Sequence, residues 1–391
     1  MRLPTRLDRY PAKMVAHLAD RLVEKYALNA HRVLDPFCGS GAVLVAAKKR
    51  GIPVSGLDVN PVSELFARVK LQGFDRDKAL ALASRMVAAA KTRRDTFPLD
   101  WPNKGYWFTP ATLEKLERMR AVALDLRLNS TREGLAVLLS FVLSVRPCSR
   151  ADQRSPKPFI SKQALLSRGG RHFDPYRELP RMLSEVADIY SPSRSAPASL
   201  FVRADVVNDV DISRKIGKHS HVITSPPYVN AQDYFRNFKL ELYVLEGVLP
   251  FTVDSLRERF IGTERGDLLV AVPEESVEDN CKRFPPLTAL KYKKPRLACV
   301  VHRYLHDVGQ AFDNIITCLR PKACFVLVCG DNLVGGIRIP TWQLLGRMLE
   351  EKGFELFDQF ADPIGDRMLA PRRCGHKGLI KEEVVCAFRR A

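Results

Sequence analysis

The chain has 391 residues, of which 46% are apolar, and a formal net charge of +18 with a pI near 9.6. That apolar content supports a sizeable core and excludes global disorder, and the length suits one α/β domain with large insertions or two to three average domains. The cationic excess points to a polyanionic partner, nucleic acid first and an anionic membrane surface second.

The first predicted element is an amphipathic helix over 11–27, where Met14, Leu18, Leu22 and Val23 recur at helical spacing. Val33-Leu34 reads as a short buried strand, Asp35 to Gly41 as a glycine-bearing turn, and Ala42 to Lys49 as a helix with cations in its last turn. Gly51 stops that helix, and a second strand runs from Ile52 to Leu57 and ends at Asp58. Strand, loop, helix and strand within about thirty residues form the doubly wound signature. From 62 to 197 the alternation disappears. Residues 74–94 and 110–145 read as helices, 146–181 as a basic loop, and YSPSRSAPAS at 190–199 as a linker.

The alternation resumes with a strand over 199–209 ending near Asp205, the strand and elbow HVITSPPY at 221–228, and a helix over 234–247. A second irregular basic stretch, 281–296, contains no acidic residue. A helix near 304–319, a strand at 322–332, a helix at 341–354 and two closing strands follow. The expected fold is an α/β, Rossmann-like doubly wound sheet (1–61 and 199–391), split by a largely helical insertion (62–198) and a smaller basic one (254–296).

No apolar run reaches the length needed to span a bilayer, and MRLPTRLDRYPAKMVAHL lacks a signal peptide's apolar segment and cleavage site. The nine cysteines contain no Cys-x-x-Cys pair and are odd in number, a pattern that fits neither a disulfide framework nor a zinc ribbon. A cytoplasmic protein without membrane attachment or structural metal is expected.

Ligands of doubly wound sheets bind at the carboxyl ends of the strands, where the topology switches. Asp35, Asp58, Asp205 and Ser225 all fall at predicted carboxyl ends. The turn DPFCGSG (35–41) places Gly39 and Gly41 where backbone approaches a ligand closely. It lacks the Lys-Ser/Thr of a phosphate loop, and its leading Asp repels phosphate, so it suits a ligand with a cationic end. Asp58 is placed to accept hydrogen bonds from ribose hydroxyls. A ligand with an amino acid at one end and a nucleoside at the other is S-adenosyl-L-methionine. In SPPY (225–228) two prolines remove backbone donors and fix φ, so the strand ends in a rigid elbow.

These motifs resemble those of the DNA amino-methyltransferases, which methylate exocyclic amines of cytosine or adenine with S-adenosyl-L-methionine. Asp35-Pro36-Phe37-Cys38-Gly39-Ser40-Gly41 is similar to their cofactor motif and Ser225-Pro226-Pro227-Tyr228 to their catalytic motif. RYPAKM at 9–14, with Lys13, looks like the helix motif beside the methionine end of the cofactor. The resemblance covers roughly 9–61, 199–247 and 297–391, and the motif order matches the group with a central target-recognition region.

The resemblance implies that the Ser225 hydroxyl and Pro226 carbonyl accept hydrogen bonds from the target amine, and that Tyr228 stacks on a flipped-out base. Ser at the first motif position implies N4-methylcytosine. The alternatives are adenine-N6 methylation, an RNA amine methyltransferase, and a non-catalytic nucleic-acid-binding protein on the same fold. The implied partner is double-stranded DNA, with the basic stretches 146–181 and 281–296 on its phosphates, and the family admits a cognate restriction enzyme. Recognition sequence and oligomeric state are not legible in any motif.

Several residues keep two readings. Cys38 reads as a small packing residue that meets the ligand through its backbone. Asp205 is a cofactor-side acid or a strand-end cap, and Lys13 a cofactor contact or a helix-surface cation. Pro147-Cys148 resembles the Pro-Cys nucleophile of cytosine-C5 enzymes, but it lies outside the sheet pattern and reads as a buried thiol. Asp331-Asn332, at another strand end, lines the cleft or forms a turn.

Overall fold

Strands covered on both faces show no alternation of burial: Val33–Asp35 (β1) is buried at every position, and Val54–Asp58 (β2) at every position but the last. The computed structural model describes residues 14–153, 157–160, 173–190, 199–209, 211–229, 234–262, 272–363 and 382–391. The further strands are Ser199–Arg203 (β3), His219–Thr224 (β4), Leu319–Cys329 (β5), Asn332–Val334 (β6), Ile337–Ile339 (β7), Phe354–Pro363 (β8) and Glu382–Arg390 (β9). Seven of them form one sheet in the order β3-β2-β1-β4-β5-β9-β8, and β6 and β7 form a separate hairpin. β1 to β5 pair in parallel, whereas β9 runs antiparallel to both β5 and β8. The strand order reverses between β1 and β4, which is the topological switch point of a Rossmann-like doubly wound α/β sheet.

The described residues divide into two compact units: a sheet unit drawn from 12–59, 197–233 and 258–391, and a helical unit drawn from 60–196 and 234–257. In the sheet unit, the helix Pro295–Ile316 buries Val301, Leu305, Val308, Phe312 and Ile315 in the core. Phe325 meets Phe312 and Phe354 edge to face, with ring centroids 5.4 and 5.9 Å apart.

In the helical unit, Arg132–Cys148 is buried along nearly its whole length, and Arg76–Thr92, Pro110–Asp125 and Pro175–Tyr190 accompany it. Asn60, Asp75, Thr109 and Thr131 cap helices with their side chains, each accepting from a backbone amide. Arg120 is fully buried and donates to the carbonyls of Val244 (3.0 Å), Phe97 (2.7 Å), Pro98 and Glu246 (2.5 Å). It joins the loop before its own helix to residues that follow the elbow in sequence.

Several sequence expectations change. The single helix expected over 110–145 is two, because Arg127 takes φ 46° and Thr131 starts a fresh capped helix. Residues 175–190 are helical rather than part of a basic loop or linker, and Pro61–Gln72 forms a helix that periodicity did not predict. The stretch 281–296 is helical too, in Glu274–Arg283, Pro285–Lys293 and the start of Pro295–Ile316. Its prolines occupy first-turn positions, where a missing N–H costs nothing. The strand expected to end near Asp205 stops at Arg203. Residues 191–198 of the expected linker, and 154–156 and 161–172 of the basic loop, lie outside the described residues.

Candidate active site

Two chain reversals leave the carboxyl ends of neighbouring parallel strands. After β1, residues 36–41 form a turn that leads into the helix Ala42–Lys49. Gly39 and Gly41 take φ 49° and 80°, the left-handed region where a Cβ is strained. The turn is tied to the end of β2: the Cys38 amide donates to the Leu57 carbonyl at 3.0 Å, and the Gly39 amide to Asp58 Oδ2 at 2.9 Å. Pro36 is buried and Phe37 half-buried against the apolar core.

Gly56 explains how the turn lies so close to β2. A Cβ there would stand 2.5 Å from Leu44 Cδ1 and 3.1 Å from Cys38 Sγ. The Cys38 sulfur therefore packs inward against β2, as a small core residue should. Gly56 escaped the sequence reading, although a glycine inside a strand is itself a sign of close approach.

Asp35 is buried, 4% exposed, at the end of β1. Its Oδ1 accepts from Thr224 Oγ1 at 2.7 Å and from the Phe37 amide at 3.3 Å. Burial pushes its carboxyl up to about 7; the Thr224 and Phe37 hydrogen bonds pull it back, and the charge of Asp58 adds to the rise. Asp35 and Asp58 thus belong to one cluster with Gly39 and Gly41. Lys13 lies outside the described residues.

Thr224 ends β4, and Ser225-Pro226-Pro227-Tyr228 follows without regular structure. Ser225 and Pro227 are half-buried, and Pro226 is buried. The Tyr228 ring is 6% exposed within the core, and its hydroxyl donates to Glu383 Oε1 on β9. Burial first, and then the Glu383 charge, drive the Tyr228 hydroxyl well above the usual phenol range, so it stays protonated as a donor. Sequence reasoning missed both Thr224 and Glu383. Thr224 was visible as the polar residue before the motif, whereas nothing local marked Glu383.

Asp205 stands apart from this cluster's hydrogen bonds. Its carboxylate accepts from the amides of Val207 (3.1 Å) and Asn208 (3.2 Å) and from the Asn208 side chain (2.8 Å), and Arg259 lies 3.9 Å away. The strand-end cap is the role these bonds describe. Asp331 pairs with Arg338, and Asn332 is buried and accepts from Thr341, so this pair stabilises the β6–β7 hairpin and its exit. Cys148 is buried at the end of its helix. Among the described residues no cluster of metal ligands occurs, and no helix is long and apolar enough to cross a membrane.

No protein-family model matches the chain. It is 21% identical to the type II methyltransferase M.AvaI of Nostoc sp. over 404 aligned residues, covering 91% of this chain and 80% of that protein. M.BsoBI of Geobacillus stearothermophilus is 26% identical over 280 residues, 64% of this chain and 54% of that one. M.MjaII of Methanocaldococcus jannaschii is 32% identical over 82 residues, 21% of this chain and 16% of that protein. Among solved structures, the rRNA methyltransferase aviRa from Streptomyces viridochromogenes aligns with a TM-score of 0.31 and 12% identity, over 97% of this chain and 87% of that one. The chain is a distant relative of type II methyltransferases.

Proposed function

We propose that the protein is a DNA methyltransferase that moves a methyl group from S-adenosyl-L-methionine to the N4 amine of a flipped-out cytosine. One observation carries the reading: the hydrogen bond from Thr224 to Asp35 joins the glycine turn and the Ser-Pro-Pro-Tyr elbow at adjacent strand ends. The distant similarity to M.AvaI along most of both chains and the +18 charge support it.

The residues fit the cofactor. Gly39 and Gly41 leave no side chain between the turn's backbone and a ligand, and Asp35 and Asp58 offer carboxylates beside it. Asp58 would accept from the ribose hydroxyls, and an ammonium near Asp35 would favour its ionised form. When bound, S-adenosyl-L-methionine supplies an electrophilic methyl on a sulfonium.

The rest belongs to this chain's own groups. An exocyclic amine is a weak nucleophile because its lone pair is delocalised into the base. The Ser225 hydroxyl and the Pro226 carbonyl accept hydrogen bonds from that amine, which favours a pyramidal nitrogen and aligns it for in-line attack. The two prolines keep these acceptors from reorienting. Tyr228 forms the wall against which the flipped base lies, and admission of the base uncovers a ring that is now 6% exposed.

Nucleoside mass spectrometry on DNA and RNA from cells expressing the protein, with Ser225→Ala as control, tests this. N4-methylcytosine in DNA, absent from the control, is the expected result. N6-methyladenine would reassign the base, and a new methylated base confined to RNA would reassign the substrate. No new base from folded, cofactor-binding protein would overturn the assigned acceptor.

A further inference from the structure

We infer that the corner formed by Lys291, Tyr292, Lys293, Lys294 and Arg296 receives the phosphate backbone of duplex DNA beside the elbow; this rests on the methyltransferase reading and assigns its partner a surface. The helix Pro285–Lys293 ends at this corner, and Pro295–Ile316 begins there. All five side chains are exposed, Tyr292 at 81%. Leu287 and Leu290 anchor the corner from beneath, at 0% exposure each. The β6–β7 turn braces it: a Cβ on Gly335 would lie 3.0 Å from Leu297 Cδ1 and 3.1 Å from Lys294 Cγ.

The charge here is unspent. Several other cations of the sheet unit are paired: Arg21 with Asp362, Lys25 with Asp358, Arg50 with Asp20 and Arg303 with Asp307. Even Arg283, in the same basic stretch, pairs with Asp279 and Glu351. Lys291, Lys293, Lys294 and Arg296 form no ion pair among the described residues, and 281–296 contains no acidic residue that could supply one locally. A fixed, uncompensated cationic corner around an exposed aromatic ring suits phosphate and sugar, which Lys, Arg and Tyr contact without reading sequence.

Topology puts the corner on the site's side of the sheet. The helix Pro295–Ile316 leads directly into β5, so it runs against the strands and its first turn lies at their carboxyl edge. The β6–β7 hairpin leaves the same edge just after Cys329. Ser225 follows β4, the parallel neighbour of β5, with Thr224 level with Leu327. Farther along the helix, Tyr304 reaches the elbow's surroundings: a Cβ on Gly262 would lie 3.4 Å from the Tyr228 carbonyl oxygen and 3.9 Å from the Tyr304 ring. From Arg296 to Tyr304 the helix rises ~12 Å at ~1.5 Å per residue.

The test compares wild type with the quadruple variant Lys291→Ala, Lys293→Ala, Lys294→Ala, Arg296→Ala, using a duplex oligonucleotide over a range of salt concentrations. Thermal unfolding and calorimetric binding of S-adenosyl-L-methionine are expected to match wild type, because all four side chains are exposed. The slope of log Kd against log salt should fall by about 1 for each cation that meets a phosphate, with loss of affinity on every sequence. Tyr292→Ala should weaken binding without changing the slope. If wild type methylates DNA and the quadruple variant keeps its affinity and slope, the corner is wrong and the function stands. If the variant loses binding only to single-stranded RNA, duplex DNA is the wrong occupant. A wild type that neither binds nor methylates duplex DNA would overturn both.

Discussion

Thr224 Oγ1 donates to Asp35 Oδ1 at 2.7 Å, across 189 positions of sequence, and both side chains are buried. The last residue of β4 thereby restrains the last residue of β1, so the elbow and the glycine turn are mechanically one structure. Changes to either should appear in the properties of the other.

The Asp35 carboxyl makes this measurable through pH. Its folded value of about 7 lies above the ordinary carboxylate value, so the folded state favours the protonated form. Its contribution to stability is complete below about pH 4 and is lost as pH rises through about 7, by up to ~4 kcal/mol. Denaturant melts of ligand-free protein from pH 5 to 8 should show this decline, and Asp35→Asn should flatten it. Cofactor affinity should move the opposite way, rising with pH over that interval. Thr224→Val removes a bond that favours ionised Asp35 and should displace the affinity midpoint to higher pH.

Gly56→Ala tests the packing of the turn onto β2. The added methyl would meet Leu44 and the Cys38 sulfur at 2.5 and 3.1 Å. Overpacking of this kind costs ~1–3 kcal/mol, and here it displaces the turn. The expected outcome is a lower Tm with cofactor affinity reduced more than the stability loss alone accounts for, read by calorimetry at a temperature where the variant is folded.

The buried hydroxyl of Tyr228 predicts a graded series. Tyr228→Phe removes its bond to Glu383 and should cost ~1–3 kcal/mol, whereas Tyr228→Ala also leaves a cavity and should cost ~3–5 kcal/mol. Glu383→Gln retains an acceptor for the hydroxyl and should be the mildest of the three. No loss from Tyr228→Phe in urea melts would show that the hydrogen bond to Glu383 does not support the ring.

Arg120 is the corresponding test in the helical unit. Burial pulls its guanidinium down to about 10, which leaves it charged near neutrality. Arg120→Met removes the donors to four carbonyls, of Phe97, Pro98, Glu246 and the buried Val244, and should cost ~3 kcal/mol or more. Limited proteolysis should then cut within 94–100 or 244–250 before it cuts the sheet unit.

Some of this was legible beforehand. The alternation of β1, turn, helix and β2 is local, and its helix boundaries at Ala42 and Lys49 follow from composition and a glycine stop. The elbow was equally plain, because consecutive prolines forbid a continuing strand. The helices around Pro285 and Pro295 were misread since proline marks a helix start as readily as a break, and only the neighbouring turns decide which. The bonds that Glu383 and Thr224 make could not be assigned from local pattern. Their partners are 155 and 189 residues away, and such contacts exist only after the sheet is assembled.

The helical unit is discontinuous in sequence, drawing on 60–196 and again on 234–257. This has a genetic consequence. A single recombination that replaced the first segment would leave the new helices facing an inherited second segment, whose Val244 and Glu246 carbonyls expect an arginine at 120. Whole-cassette exchange would therefore need two coordinated crossovers. Stepwise substitution within both segments is the more accessible evolutionary route to a new helical surface in the same chain.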